Sequence, residues 1–132
     1  MTARVCDASA AFAVLLDVRA DGQWATGQLT GFEVAAPSQM KFECANIVRR
    51  RELAGLVSSE EAAQAHAELR AFHVDDWPYE LLADRAWQLR ANLTIYDATD
   101  VALAELLDAP LVTLDRRIGR APGIACQVLT PP

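Results

Sequence analysis

Five short segments of this chain, residues 4–7, 32–36, 72–77, 111–114 and 124–129, are mostly apolar and show no alternation of polar with apolar positions. A strand of that kind is covered on both faces, and such strands belong to parallel sheets flanked by helices. The stretches between them are long enough for helices and carry helix punctuation. Small residues Ala8 to Ala11, followed by Phe12, Val14, Leu15 and Leu16, turn the first strand directly into a helix. Asp21-Gly22 ends that helix, and Gly31 stops a second, short one containing Trp24 and Leu29. Ser38, after Pro37, caps a longer helix that runs to about Leu53, before Gly55. Ser58-Ser-Glu-Glu61 is a capping box that opens a further helix to about Ala71. Residues 79–89 form the next helix after Pro78, and Thr94, with Asp97 three residues on, opens the last before Ala109-Pro110. Strand alternating with helix predicts an open, mainly parallel α/β sheet with helices on both faces.

At 132 residues and 52% hydrophobic, the chain is long enough for one self-standing core, a single domain over residues 1–132. No apolar run approaches the roughly 20 residues of a membrane helix, and no secretory signal pattern opens the chain. The expectation is a cytoplasmic protein with no membrane association. Cys6, Cys44 and Cys126 form no CxxC spacing and read as reduced, buried thiols. The net charge of −6 argues against avid, general nucleic-acid binding. An enzyme that meets nucleic acid through one local basic patch stays open, and an acidic surface also suits a basic partner protein. Lys41 is the sole lysine; the other cationic residues are arginines, which favour planar contacts to phosphate or carboxylate.

Four carboxylates occupy comparable places. Asp7 and Asp115 end apolar strands, and Asp97 lies at the helix opening that Thr94 caps. Glu43 borders the helix face made by Met40, Cys44, Ile47 and Val48 at about 100° per residue. Open α/β sheets bind ligands outside the carboxyl ends of their strands, so this topology draws all four to one rim. Carboxylates gathered so repel one another unless protons or cations neutralise them. Mg²⁺ and Mn²⁺ prefer oxygen ligands, and an ion so held activates water for phosphodiester hydrolysis. Each residue also has a plainer role: Asp97 at a positive helix end, Glu43 as a partner of Arg50 or Lys41, Asp115 as the cap of a turn. Asp7, at a buried strand end, has few such roles. Ser9 and Thr113, each two residues from a site carboxylate, are either structural or donors to metal-bound water.

Val5-Cys-Asp7-Ala-Ser-Ala10, Phe42-Glu43 with Asn46 and Arg49-Arg50, Leu93-Thr-Ile-Tyr-Asp97-Ala with Val101-Ala-Leu-Ala-Glu105, and Leu111-Val-Thr-Leu-Asp115 follow one another in a pattern that resembles PIN-domain ribonucleases. The resemblance is strongest to VapC-type toxins of bacterial toxin–antitoxin systems. It runs over nearly the whole chain, including Trp87-Gln-Leu-Arg90, Asn92-Leu-Thr94 and Arg120-Ala-Pro-Gly123. It implies a PIN-like domain and a metal-dependent endoribonuclease. Asp7, Glu43, Asp97 and Asp115 would form its acidic quartet, with Asp7 and Asp97 the most direct ligands of Mg²⁺ or Mn²⁺. It also implies a homodimer, a higher assembly with a cognate VapB-like antitoxin, and an antitoxin tail that wraps the toxin and obstructs its site. Asp100 departs from the family pattern, which often has a bulky aromatic residue there. It lies three residues after Asp97, on nearly the same face, and is either a fifth site carboxylate or a solvated helix residue; solvation is the expectation.

Arg49, Arg50 and Arg51 cannot all face one way on a helix. They are a solvated helix end, or Arg50, on the Glu43 side, joins Arg116, Arg117 and Arg120 in gripping RNA phosphates. His66 and His73 lack metal or triad partners and read as structural. Trp24, Trp77 and Trp87 read as core or dimer contacts. A phosphoacceptor module of the same layout would need adjacent acids after the first strand and a lysine after a late strand, and the chain has neither. A catalytically silent PIN-like RNA- or protein-binding module is the other alternative; the intact quartet argues against it.

Overall fold

The computed structural model describes residues 2–132. Strands β1 (Ala3–Cys6), β2 (Glu33–Pro37), β3 (Asp75–Trp77), β4 (Leu111–Val112) and β5 (Val128–Leu129) form one sheet in the order β3-β2-β1-β4-β5. Every neighbouring pair is parallel. Helices α1 (Ala8–Leu16), α2 (Ala20–Leu29), α3 (Met40–Leu53), α4 (Ser59–Ala71), α5 (Ala83–Gln88) and α6 (Ile95–Leu107) accompany it. The core explains why the strands lack alternation. Val5 and Leu111 enter one cluster with Leu82, Leu103 and Ile118, while their neighbours Cys6 and Val112 enter another with Met40, Cys44 and Leu69. Successive side chains point to opposite faces, and here both faces are core.

Several boundaries differ from the sequence expectation. Gly22 breaks nothing: it lies inside α2, where a Cβ would collide with the backbone oxygens of Asp17 and Ala13 at the end of α1. Its signal was close helix approach rather than a turn. Ser38 does not cap α3; Gln39 occupies that position without a side-chain cap bond, and the Ser38 amide instead donates to Trp77 O, 2.9 Å away. Residues 79–89 split into a 3-10 turn (Tyr79–Leu81) and α5, on either side of the buried Leu82. Strands β3 and β4 are shorter than their apolar segments, because Phe72 closes α4 and residues 113–115 turn aside to hydrogen bonds at the sheet rim, and β5 begins only at Val128. The Ser58–Glu61 capping box forms as expected, with both reciprocal bonds near 3 Å.

Topology places the site. The chain lays β1, β2 and β3 outward in one direction, then returns through α6 to put β4 on the other side of β1. The order therefore reverses between β1 and β4, and a crevice opens at their carboxyl ends. Helix α6 packs against β1, β2, β4 and α5. Its residues 98–104 are all buried, so its middle two turns are enclosed on every side rather than along one stripe. Arg85 of α5 holds it through Glu105 (2.6 Å), which also accepts the Ala125 amide. Among the described residues no helix is long and apolar enough to cross a membrane. The three cysteines are unpaired, with Cys6 and Cys44 buried. Trp24 and Trp77 pack against the core, but Trp87 is exposed beneath the Arg90 guanidinium.

Candidate active site

Asp7 follows β1 immediately and caps α1, its Oδ1 accepting the Ala10 amide (2.9 Å). The same oxygen accepts the Ser9 hydroxyl (2.7 Å), and Thr113 Oγ1 donates to Oδ2. Ser9 Oγ in turn accepts the Leu114 amide, and Thr113 Oγ1 accepts the Asp115 amide. Both hydroxyls thus hold Asp7 and stitch the β1–α1 turn to the segment after β4. Asp7 is 5% exposed. Burial raises its pKa; bonds from Thr113, Ala10 and Ser9 oppose that, and the Asp97 charge adds to it.

Glu43 projects from the first turn of α3, where Met40, Cys44 and Val48 are buried as the helical spacing predicts. It pairs with neither basic neighbour: Lys41 Nζ donates to Phe72 O (3.0 Å), and Glu43 makes no ion pair among the described residues. Burial, then the charges of Asp7 and Asp97, push its pKa up to about 7. Asp97 lies in the first turn of α6, whose cap is Thr94: the Thr94 hydroxyl accepts the Asp97 amide at 3.1 Å. The Asp97 carboxyl is raised by burial and then by Asp115, with Thr94 and Arg117 acting the other way. Asp115 is different. Arg117 grips both its oxygens, Nε at 3.0 Å and a terminal nitrogen at 2.8 Å, and lowers its pKa.

The charges link the four expected carboxylates in series: Asp7 and Asp97 act on Glu43, Asp97 acts on the buried Asp7, and Asp115 acts on Asp97. Asp100 overturns its expectation. It is 3% exposed, not solvated, and the charges bearing on it are those of Asp7, Glu43 and Asp97. The helix period placed it near Asp97; it could not show that α6 is enclosed.

The arginines divide. Arg117 is committed to Asp115, and Arg116 donates to the carbonyls of Pro131 and Pro132. Sequence reading missed both pairings, although Asp115-x-Arg117 is a spacing at which a turn brings the two together. Arg120 ends a 3-10 turn and is exposed. Arg50 lines a groove of about 420 Å³ with Glu43, Asn46, Phe42 and Tyr96. A second groove of about 210 Å³ lies by Asp97, Asp115 and Arg117.

The family model of the PIN domain matches residues 4–124. Ribonuclease VapC1 of Mycobacterium tuberculosis is 39% identical over 94 residues, covering 70% of this chain and 71% of that protein. This chain is a PIN-domain protein of the VapC ribonuclease family. Ribonuclease VapC9 of the same organism is 35% identical over 128 residues, 97% of this chain and 98% of its own. The fold also matches VapBC-5 from Mycobacterium tuberculosis, a member of the VapBC family of toxin–antitoxin systems. That match has a TM-score of 0.64 at 20% identity and covers 99% of this chain and 100% of that one.

VapC ribonucleases with PIN domains are metal-dependent as a family, and the residues of this VapC-family chain fit a hard divalent cation. The donors converging on the crevice are oxygens, burial and mutual charge raise three of the quartet, and Oδ1 of the buried Asp100 has no hydrogen-bond partner. Among the described residues no three His, Cys, Asp or Glu side chains are placed to cage an ion. A small direct ligand set suits Mg²⁺, which keeps several of its waters.

Glu43 makes the metal-free stability of this VapC-family chain depend on pH. A carboxyl whose pKa is higher folded than unfolded contributes stability below its unfolded value and loses it as pH rises through the folded value. For Glu43 that window runs from 4.5 to about 7. In chelator, Tm falls across it, and Glu43→Gln makes the fall shallower; Asp7, Asp97 and Asp100 shift the same way, so a slope persists. Melting curves at each pH check this, and identical slopes in the two proteins would contradict it.

Proposed function

We propose that this chain is the toxin of a toxin–antitoxin pair, a cytoplasmic endoribonuclease that hydrolyses RNA phosphodiester bonds with Mg²⁺ or Mn²⁺. The observation that carries the reading is the buried Asp7 carboxylate at the β1–β4 switch point, held by Ser9 and Thr113 and faced by the charges of Glu43 and Asp97. VapC family membership supports it.

In this reading Asp7 and Asp97 hold the cation. When bound, the ion lowers the pKa of an attacking water and offsets charge on the phosphate in the transition state. Ser9, Thr113 and the Ala10 amide fix Asp7 in one orientation, so the ligand costs no reorganisation on binding. Glu43, with a groove beside it, takes the proton from the attacking water at its carboxylate. Arg50, in that groove, contacts an RNA phosphate, and Arg120 extends the contact beyond Asp115. Arg117 and Arg116 hold Asp115 and the chain end rather than RNA. The acidic rim and the net charge of −6 suit a VapB-like antitoxin that presents an arginine or lysine to the crevice, on a homodimer of this chain.

Co-expression with the product of the adjacent open reading frame tests the reading. The expected result is a retained small partner, growth arrest when the chain is expressed alone, and RNA cleavage that the partner suppresses. A harmless chain that retains no partner would overturn the toxin assignment; a partner-bound chain that never cuts RNA would leave a silent binding module.

A further inference from the structure

We propose that Asp100 serves the divalent cation of this crevice as an additional carboxylate, raising ion affinity rather than stabilising the core. The proposal rests on the cation reading above. Asp100 is 3% exposed, within the stretch 98–104 of α6 that is buried throughout, and its Oδ1 has no hydrogen-bond partner. A buried carboxylate normally has donors or a cation. Here the adjacent Thr99 hydroxyl is engaged with Tyr96 O and Gln39. The ion pairs among the described residues are Arg19–Asp17, Arg85–Glu105 and Arg117–Asp115, and none reaches Asp100. What does bear on it is the carboxylate group of the site: Asp7 from the end of β1, Glu43 from α3 and Asp97 one turn earlier on α6. A packing role gives no reason for this arrangement, since an apolar side chain of the same size fills the space without an unpaired oxygen. A cation in the crevice supplies the missing partner, directly or through one of its waters.

The test uses the full chain stripped of metal and titrated with Mn²⁺, comparing wild type with Asp100→Asn and Asp100→Leu. Calorimetry gives the Mn²⁺ Kd, and melting curves give Tm without and with the ion. The expected result is Mn²⁺ affinity weakened on the order of tenfold or more in both variants. The metal-free Tm of Asp100→Leu is then no lower than wild type, and the Mn²⁺-induced rise in Tm is reduced. If Asp100→Asn does not fold, Asp100→Leu decides alone. Unchanged Kd in a folded variant overturns the role of Asp100 while leaving the cation site intact, and loss of folding in both variants overturns it in favour of a core role. Absence of Mn²⁺ binding by wild type overturns the cation reading itself, and this proposal with it.

Discussion

Asp97→Asn reduces the rate of metal-dependent RNA cleavage on the order of 100-fold or more, the scale of losing a major electrostatic contributor to a transition state, and leaves Tm near wild type. The two halves of this expectation have separate structural sources. The cap of α6 is the Thr94 hydroxyl, which accepts the Asp97 backbone amide; that bond survives any change of the Asp97 side chain. The carboxylate is held against burial and the charge of Asp115, so removing its charge relieves repulsion in the metal-free protein. Asp7→Asn is a less clean test. Asp7 caps α1 and accepts from Ser9, Ala10 and Thr113, and an amide in its place turns one of two acceptors into a donor. Initial rates at saturating Mg²⁺ or Mn²⁺, with melting curves on the same preparations, check the prediction. A rate within a few-fold of wild type would remove Asp97 from the ion's ligands.

Excess EDTA takes cleavage to background, and added Mg²⁺ or Mn²⁺ restores it. The same titration has a readout that needs no RNA. An ion that binds the folded chain and not the unfolded one stabilises it by about 2.7 kcal/mol at 100 times its Kd, which raises Tm by several degrees in a domain of this size. Here the gain has a visible origin, since Asp7, Glu43, Asp97 and Asp100 are all pushed up by burial and each is also acted on by another carboxylate, Asp97 by Asp115 and the other three by members of this group. Cleavage undiminished in chelator would mean that these carboxylates act without metal. Cleavage lost with no change in Tm would place the ion elsewhere.

Local order along the chain was enough to read the architecture. Unalternating apolar segments separated by helical ones specify a parallel sheet because each successive strand residue must find a core on its own side, as Val5 and Cys6 do. The strand-end position of Asp7 and the cap at Thr94 were equally legible, since they depend on residues within a few positions; Asp115, expected to end a strand directly, lies three residues past β4. Glu43 followed from helical spacing.

What only tertiary structure decided involves residues far apart in sequence. Thr113 became a holder of Asp7, and Ser9 a partner of Leu114, because β1 and β4 are neighbours, which joins positions more than a hundred residues apart. Lys41 was drawn from Glu43 by the end of α4. Gly22 showed the same limit, because its role depends on how α2 approaches α1. Asp100 is the plainest instance: helical period fixed its angle relative to Asp97, but whether that angle met water or core depended on how many elements surround α6. The sheet, α5 and the crevice carboxylates enclose it, so a residue that looked solvated is buried with one oxygen unpartnered.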